Sequence, residues 1–489
     1  MSFLMMQIKT WRSRVAALVF GVAVLVILMP LDAQALPSFA RQTGQNCVAC
    51  HAGGQFPELT PFGRMFKLTG YTIGERTVPL SVMGVAGVSS VADRSKSDAP
   101  DADFQKNFAP LLASGSLFIA GKVTNNIGAF AQITYDNYAV TNADRSFSGH
   151  SQADNMDFRY ADHIVDGKRD WAYGVSLNNN PSVSDPWNTA AAWMQYVPVP
   201  SPTSYQFADG AGVYPRFGSG GNIAGVSAYT FWNKTIYAEL AAYRTANRAF
   251  SFMSAGIADA DKTKLTGNNP YLRLALTREW GPHNLMVGTS AMIAHVYDAG
   301  TDTGNQDNLG RFRNNGLDAQ YQYLLDPHMV TVQAAYMRQV QTYSAATINA
   351  AAPPYFLADG ITPVNPVNPS DTTNIFRAKL SYIYQAKYGG SLAFFNKAGT
   401  TNTLNQTAGF DANGQITSAN STRVTGNLSG NPAIRGLTYE AFWMPKQNVR
   451  IGAQYTAYNK FNGATNNYDG FGRNAKDNNT LFLYAWFAY

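Results

Sequence analysis

From about residue 80 onward, apolar and polar side chains alternate along the chain with a period of two. Leu272, Leu274 and Leu276 are interleaved with polar or small residues. The segments 330–336, 376–382 and 449–457 show the same alternation. Successive side chains of a strand point to opposite faces, so this period predicts strands with one apolar and one polar face. A half-buried sheet of a soluble protein would give the same alternation.

The connections between these segments alternate in length. Short turns lie at 233–234, 281–283, 326–328, 387–389 and 445–447, and long polar stretches lie near 244–270, 298–315, 339–373, 397–434 and 459–478. Outer-membrane barrels have short periplasmic turns and long outer loops. Five predicted strands lie between 80 and 178 and eleven between 224 and 489. The sequence therefore predicts about sixteen strands, and this even number puts both ends of the barrel on the periplasmic side.

Composition favours a barrel in lipid over a soluble sheet. Charged residues make up 14% of the chain, against roughly 25% in soluble domains. Aromatic residues make up 13%, which suits the aromatic girdles of an outer-membrane barrel. The net charge of +6 is too small to favour a nucleic-acid partner. We therefore predict an all-β, transmembrane outer-membrane β-barrel over residues 80–489, with outer-membrane lipid around it.

Two terminal segments agree with export to that membrane. Lys9, Arg12 and Arg14 precede the apolar run 15–29, and Ala33-Gln34-Ala35 has the small-x-small pattern of a cleavage site. The run is shorter than the ~20 residues of a spanning helix, so residues 1–35 are predicted to be a signal peptide rather than an anchor. The apolar strand 481–489 with its terminal aromatic resembles the assembly signal of bacterial outer-membrane proteins. A buried closing strand is the alternative.

The stretch 179–223 departs from the pattern of the other loops. It contains six prolines, which argues against regular spanning strands. It also contains Trp187, Trp193, Tyr196 and Tyr205, which is much aromatic surface for a solvated loop. We predict that it folds inward into the barrel. The alternative is two further irregular strands and an eighteen-stranded wall.

The two cysteines of the chain both belong to one motif, Cys47-Val48-Ala49-Cys50-His51. This C-x-x-C-H spacing is typical of c-type haem attachment, with the thiols bound to the haem and the histidine as proximal iron ligand. A redox dithiol would need a βαβ setting, and a zinc site would need four protein ligands. The motif therefore predicts one covalent haem c held by Cys47, Cys50 and His51.

The sixth iron ligand is left open by the sequence. No other histidine lies in the N-terminal segment, where Met65 and Met83 are the nearest thioethers. Methionine ligation raises the haem potential, and Met65 is the first candidate. An ordinary packing role for Met65, ligation by Met83, and an open sixth position are the alternatives.

Residues 36–79 form a predicted monohaem cytochrome c segment of 44 residues. This is close to the ~40 residues below which chains need outside help to fold. Sixteen strands enclose a wide lumen, so we predict that the segment lies inside the barrel and packs on its wall. Arg41, Arg64 and Lys67 could pair with haem propionates. Ordinary solvated charges are the alternative.

The N-terminal segment resembles a known family. The run 36–44, the C-x-x-C-H motif, the run 57–64 and the run 66–71 are similar to the fused monohaem cytochrome–porins of iron-oxidising bacteria. The resemblance covers about residues 36–72. One departure is the linker 52–56, which is slightly longer than in the family.

The resemblance implies a function at the outer membrane. A member of this family would oxidise extracellular Fe(II) through its haem and pass the electrons to a periplasmic c-type cytochrome, as an iron:cytochrome c oxidoreductase. Two other functions fit the same features. One is an electron conduit with a different donor or acceptor, and the other is a porin with a structural haem. No Glu-x-x-Glu or Glu-x-x-His pattern of an iron-binding ferroxidase centre is present.

Overall fold

A computed structural model of the chain describes most of the predicted barrel and the segment before it. The described residues are 37–54, 58–93, 107–141, 147–189, 222–254, 256, 264–267, 269–297, 301–350, 367–406, 409–410, 416–417, 427–470 and 472–489. The predicted signal peptide, 1–35, lies outside them. Among the described residues, no helix has both the length and the apolar character needed to cross a bilayer.

One antiparallel sheet closes on itself to form the wall. The first eight strands are β1 (Leu80–Val91), β2 (Pro110–Lys122), β3 (Ile127–Thr141), β4 (Phe147–Val165), β5 (Asp170–Asn178), β6 (Ile223–Trp232), β7 (Ile236–Thr245) and β8 (Asn269–Trp280). The other eight are β9 (His283–Tyr297), β10 (Leu309–Leu325), β11 (His328–Thr342), β12 (Ser370–Tyr384), β13 (Tyr388–Gly399), β14 (Ile434–Lys446), β15 (Val449–Lys460) and β16 (Thr480–Ala488). Neighbouring strands in sequence pair with each other, and β1 also pairs with β16.

Short elements complete the described chain. The sheet has seventeen strands when the two-residue piece Lys264–Leu265 is included, so sixteen form the wall. A separate two-stranded sheet joins Gly409–Phe410 to Ile416–Thr417. Five α-helices are α1 (Pro37–Thr43), α2 (Cys47–Cys50), α3 (Pro61–Leu68), α4 (Pro181–Ser184) and α5 (Ala345–Ala350). Short 3-10 helices occupy Ala52–Gly54, Arg248–Met253, Gln306–Asn308, Thr403–Asn405 and Ala475–Asn478.

The predicted sixteen strands are confirmed, and the eighteen-stranded alternative is wrong. Strands β5 and β6 pair directly, from Trp171 opposite Trp232 to Asn178 opposite Gly225. No further strand therefore lies between them in the wall. Several strands extend beyond their predicted ends. For example, β10 begins at Leu309 rather than at 316, because ladder hydrogen bonds to β9 continue through polar residues.

The period-two alternation sorts side chains to the two sides of the wall. On β8, Leu272, Leu274 and Leu276 are exposed on the outside, whereas Arg273 between them is fully buried inside. On β12, Leu380 is exposed and the neighbouring Lys379 is buried. Exposed leucines on the outer face are the apolar surface that lipid would cover. The buried cations show that the inner face is filled by other parts of the chain.

Aromatic side chains form a belt near the short turns. Exposed members of this belt are Trp232, Trp280, Tyr382, Tyr384, Tyr388 and Trp443. Trp171 and Trp232 contact each other across β5 and β6, with ring centroids 5.6 Å apart. Such girdles occur where a barrel wall meets the membrane surface. The belt marks the end of the wall that carries the short turns.

The segment before β1 lies inside the barrel and crosses its lumen. Tyr71 Oη donates to Asp157 Oδ2 on β4 at 2.6 Å. Glu58 pairs with Lys379 on β12 at 2.5 Å, and both side chains are buried. Strands β4 and β12 are eight apart in a ring of sixteen, so they face each other. One short segment therefore contacts opposite sides of the wall.

The connection after β5 also enters the lumen, as predicted for its first part. Residues 179–189 contain α4, and all of them except the half-buried Asn180 are buried, including Val183 and Trp187. We call residues 179–189 the inner strap. Trp193, Tyr196 and Tyr205, which the prediction also placed inside, lie outside the described residues.

Candidate functional site

The C-x-x-C-H motif forms one tight turn in the lumen. The His51 N–H donates to the Cys47 carbonyl at 2.9 Å, which closes the turn α2. His51 has extended backbone, so the chain leaves the helical turn at this residue. Cys47 and Cys50 are not joined in a disulfide. The side chains of Cys47, Cys50 and His51 all line one cleft.

Helix α3 is held against this turn by its own N-cap. Thr60 caps α3 by accepting from the Gly63 N–H at 3.1 Å, with Pro61 at the first helical position. The Thr60 hydroxyl donates to the Ala49 carbonyl at 2.5 Å, and the Thr60 N–H donates to the Cys50 carbonyl at 2.9 Å. The same residue therefore starts the helix and joins it to the motif.

Gly63 permits the close approach of α3 to the motif. A Cβ atom built on Gly63 would lie 2.2 Å from the Cys50 carbonyl oxygen, which is a backbone atom with little freedom to move. An exposed helical Gly→Ala change stabilises by roughly 0.5–1 kcal/mol, but overpacking costs about 1–3 kcal/mol. We expect Gly63→Ala to loosen the segment, measured as faster limited proteolysis within residues 37–79.

Gly115→Ala provides a matched control for this prediction. Gly115 lies in β2, and a Cβ atom there would meet nothing within 4 Å. Its proteolysis pattern should equal that of the unchanged protein. If Gly63→Ala resists proteolysis as well as the unchanged protein does, α3 can move away from the motif at no cost in stability.

The cleft beside the motif is mainly apolar. Its volume is about 130 Å³, or about 880 Å³ with the space of its open mouth included. Besides the motif, its lining includes Phe39, Leu59, Phe66, Phe130, Val183 and Pro186. These residues come from the N-terminal segment, from the wall strand β3 and from the inner strap. The cleft therefore exists only in the assembled barrel.

Two buried cations fix the inner strap over the cleft. Lys67 Nζ donates to the carbonyls of Val183 and Asp185, the latter at 3.1 Å. Arg159 donates to the Ser184 carbonyl at 2.8 Å. Because charged donors make the stronger hydrogen bonds, these contacts hold the backbone of the strap to the segment and to β4.

A buried carboxylate joins the segment to the wall. Asp157 accepts from Tyr71 Oη at 2.6 Å, from Arg159 Nε at 2.7 Å and from Ser176 Oγ at 2.6 Å. Asp157 and Arg159 have no exposed side-chain surface. The Arg159 guanidinium also lies over the Tyr229 ring, 4.8 Å from its centroid. We call Asp157, Arg159 and Tyr71 the β4 lock.

The far end of the inner strap is anchored on β8 and β10. Thr189 Oγ1 donates to Asp318 Oδ2 at 2.6 Å, and Arg273 makes a bidentate pair with the same carboxylate at 2.5 and 2.7 Å. Trp187 is fully buried, with Arg273 6.0 Å from its ring centroid. The strap thus reaches from β5 across the lumen to β10.

Burial sets the protonation states in the motif. Desolvation raises the pKa of the Cys50 thiol to about 11 and lowers the pKa of His51 to about 3. Desolvation, reinforced by the Arg159 charge, lowers the pKa of Lys67 to about 8. At neutral pH the motif therefore offers a protonated Cys50 thiol and a neutral imidazole, and a neutral imidazole is the form of histidine that binds metals.

Comparisons with known proteins find structural likeness only. No protein-family model and no curated protein matches the chain. It is similar to OmpT, an outer membrane protein of Vibrio cholerae in its trimer form, with 8% identity, a TM-score of 0.40 and coverage of 84% of this chain and 99% of the other. For Salmonella typhi OmpF in complex with daunomycin the values are 11%, 0.43, 84% and 97%. For an anion-selective porin from Comamonas acidovorans they are 8%, 0.41, 84% and 99%.

The wall itself assigns the cellular location. A closed antiparallel barrel leaves no strand edge unpaired, which is the condition for spanning lipid with strands. Its outer face carries exposed leucines, and an aromatic belt lies at one end. The protein is an outer-membrane β-barrel, as the alternation and the loop lengths predict.

The structure does not bring the predicted sixth ligand to the cleft. Met65 lines a different cavity, together with Phe62, His163 and Glu279. Met83 packs on an apolar cluster that includes Val85. Neither methionine is among the described residues that line the cleft of the motif. Ligation by Met65 stays a prediction, and the geometry does not favour it.

The three cations considered as partners of haem propionates lie in different environments. Arg41 is exposed and donates to the Leu80 carbonyl at 2.6 Å. Arg64 is buried and donates to the Leu59 carbonyl at 2.7 Å and to Gln322 at 3.1 Å. The solvated alternative is therefore wrong for Arg64 and for Lys67, which are both buried. Of the three, only Lys67 lines the cleft.

Sequence reasoning missed the wall and strap residues of the site. Asp157 and Arg159 looked like ordinary positions of a polar strand, and no pattern distinguishes Phe130 from other wall aromatics. Asn188 also lines the cleft and carries no sequence signal of its own. The aromatic content of 179–223 was the one signal that pointed to this region.

Proposed function

We propose that the protein is an outer-membrane electron-transfer protein, an iron:cytochrome c oxidoreductase that oxidises extracellular Fe(II) and delivers the electrons to a periplasmic c-type cytochrome. The observation that carries the proposal is the cleft in which Cys47, Cys50 and His51 meet inside a closed barrel. Their spacing is that of c-type haem attachment. The resemblance of residues 36–72 to iron-oxidising cytochrome–porins suggests Fe(II) as the electron donor and a periplasmic c-type cytochrome as the acceptor.

The residues of the cleft fit a haem. Cys47 and Cys50 would hold it covalently, and His51, neutral at physiological pH, would be the proximal ligand of its iron. Aromatic and aliphatic side chains such as Phe39, Phe66 and Phe130 suit an apolar macrocycle. Lys67 is a cation at the same cleft and would face the haem carboxylates.

The barrel would place this chemistry between the outside of the cell and the periplasm. A covalent haem would supply one-electron chemistry, with Fe(II) as the electron donor and a periplasmic cytochrome as the acceptor. Ferric iron precipitates near neutral pH, so oxidation outside protects the cell interior. The contacts of the N-terminal segment with β4 and β12 hold the motif inside the wall.

The test is reduction of the purified protein by Fe(II). We expect the visible spectrum of the oxidised protein to change to that of the reduced form as Fe(II) is added anaerobically, to an end point of one electron per chain. A variant with both cysteines changed to alanine is the control and should show no such signal. A covalent haem that Fe(II) leaves oxidised, while another donor reduces it, would replace this proposal with the general electron conduit.

The second candidate is a porin in which the haem is structural. The sixteen-stranded wall favours it, because barrels of 16–18 strands are the ones that leave an aqueous channel in porins. The described lumen argues against an open channel, because the segment spans it between the opposite strands β4 and β12 and the inner strap runs from β5 to β10.

Conductance separates the two candidates. We expect the purified protein in a planar lipid bilayer to give no porin-sized conductance steps, because the segment is held to both β4 and β12. A general porin with sixteen strands, measured under the same salt conditions, is the control. Stable steps of porin size, together with a haem that does not accept electrons from Fe(II), would favour the porin.

A further inference from the structure

Asn188 is a buried polar side chain that lines the cleft of the motif. It is 4% exposed, and neither its Oδ1 nor its Nδ2 has a hydrogen-bond partner in the structure. Buried amides are almost always hydrogen-bonded, because leaving one unpaired costs free energy. An unpaired carboxamide that lines the cleft of the motif therefore indicates a partner that enters the cleft.

The position of Asn188 is fixed by its neighbours. Asp185 accepts from the Trp187 N–H at 3.2 Å and from the Thr189 N–H at 2.9 Å. Thr189 is bound to Asp318 on β10, and Trp187 is buried beside it. The backbone of Asn188 is left-handed, with φ +54°, a conformation that asparagine tolerates better than most residues. The strap thus fixes the backbone of Asn188 beside the cleft.

The other buried polar groups that the argument must consider have partners, whereas Gln45 and Asn46, which also line the cleft, are exposed to solvent. Lys67 is bound to strap carbonyls, Tyr71 to Asp157, and Thr43 to the Phe39 carbonyl at 2.8 Å. The described lining contains one histidine, His51, and no methionine. It therefore offers a polar contact at Asn188 but no second strong iron ligand.

We propose that Asn188 is the polar contact for a small ligand, water or an inorganic anion, of the iron that His51 would hold. This inference rests on the proposed haem. The carboxamide can donate through Nδ2 to a bound anion and accept through Oδ1 from a bound water. The carboxamide is neutral and therefore suits an uncharged or singly charged ligand.

Azide binding to the oxidised, haem-loaded protein tests the inference. Asn188→Gly removes the carboxamide and suits the positive φ, and Asn188→Asp keeps the shape but replaces the donor with an acceptor. We expect the azide dissociation constant to rise roughly tenfold in Asn188→Gly, as for one lost hydrogen bond to a charged group. It should rise further in Asn188→Asp, since a carboxylate repels the anion.

Carbon monoxide binding to the reduced protein is the control, because this ligand accepts hydrogen bonds weakly. Its affinity should change much less than that of azide in both variants, whereas a general distortion of the cleft would change both alike. Equal azide affinity in the unchanged protein and Asn188→Gly would overturn the inference. So would an unchanged protein that binds no azide, since its iron would already have a strong sixth ligand.

These outcomes are separate from those of the proposed function. Absence of covalent haem from the unchanged protein would remove the proposed function and this inference with it. A haem that Fe(II) does not reduce, but whose azide affinity depends on Asn188, would remove the proposed donor and leave the inference standing.

Discussion

Changing Cys47 or Cys50 to alanine abolishes the covalent haem stain on a denaturing gel, if the motif is an attachment site. Each thiol would form one thioether bond, and these are the two cysteines of the chain. Cys47 is buried against the β14–β15 turn, where its N–H donates to Gln447 Oε1 at 3.2 Å. Cys50 faces the same cleft with its thiol protonated. No other described side chain near the cleft could replace either sulfur.

Val48→Ala is the matched control, since it lies between the two cysteines and carries no chemistry. It should keep the full haem stain at equal amounts of protein. Full covalent haem in either cysteine variant would refute the assignment of the motif. Loss of haem in the Val48→Ala variant would show that packing of the turn, rather than the thiols, decides attachment.

The second large effect concerns the β4 lock. Asp157→Leu would leave Arg159 buried without its carboxylate partner, and breaking a buried ion pair in this way costs about 3–5 kcal/mol. Tyr71 would lose its acceptor in the same change. We expect the segment to detach from β4, measured as faster hydrogen exchange in residues 58–79 and a lower yield of covalent haem.

Two further variants locate the cause of this effect. The double variant Asp157→Leu with Arg159→Leu removes both charges. It should recover part of the protection from hydrogen exchange, because removing a buried ion pair costs less free energy than leaving one buried charge without its partner. Asp166→Asn breaks an exposed pair with Arg169 in the β4–β5 turn and should change little. A double variant less protected than Asp157→Leu alone would mean that Arg159 acts mainly through the Ser184 carbonyl.

The wall could be predicted from the sequence because its rules are local. Each strand alternates between lipid and lumen, so Leu272 and Arg273 reveal their sides without knowledge of their neighbours. The alternation of short turns and long loops can likewise be recognised at each hairpin from its own stretch of sequence. The strand ends were less certain, as at Leu309, because backbone pairing continues after the apolar alternation has stopped.

The site could be predicted only where its residues are consecutive. The motif is five residues long, and the structure brings its three functional side chains to one cleft. The rest of the cleft depends on pairs far apart in sequence. Tyr71 and Asp157 are separated by 86 positions, and Arg64 and Gln322 by 258. Nothing in the neighbourhood of Arg64 indicates that it is buried, and Asn188 becomes notable only once its missing partners are known.

The contacts of the segment also set an order of assembly. The segment precedes β1 in the chain, yet Glu58 pairs with Lys379 on β12 and Cys47 contacts Gln447 after β14. These partners arrive only when the last quarter of the chain has joined the wall, and the ring closes when β16 meets β1. Docking of the segment is therefore a late event with large loop-closure entropy. It follows that enzymes attaching the proposed haem would have to reach the motif before the barrel closes around it.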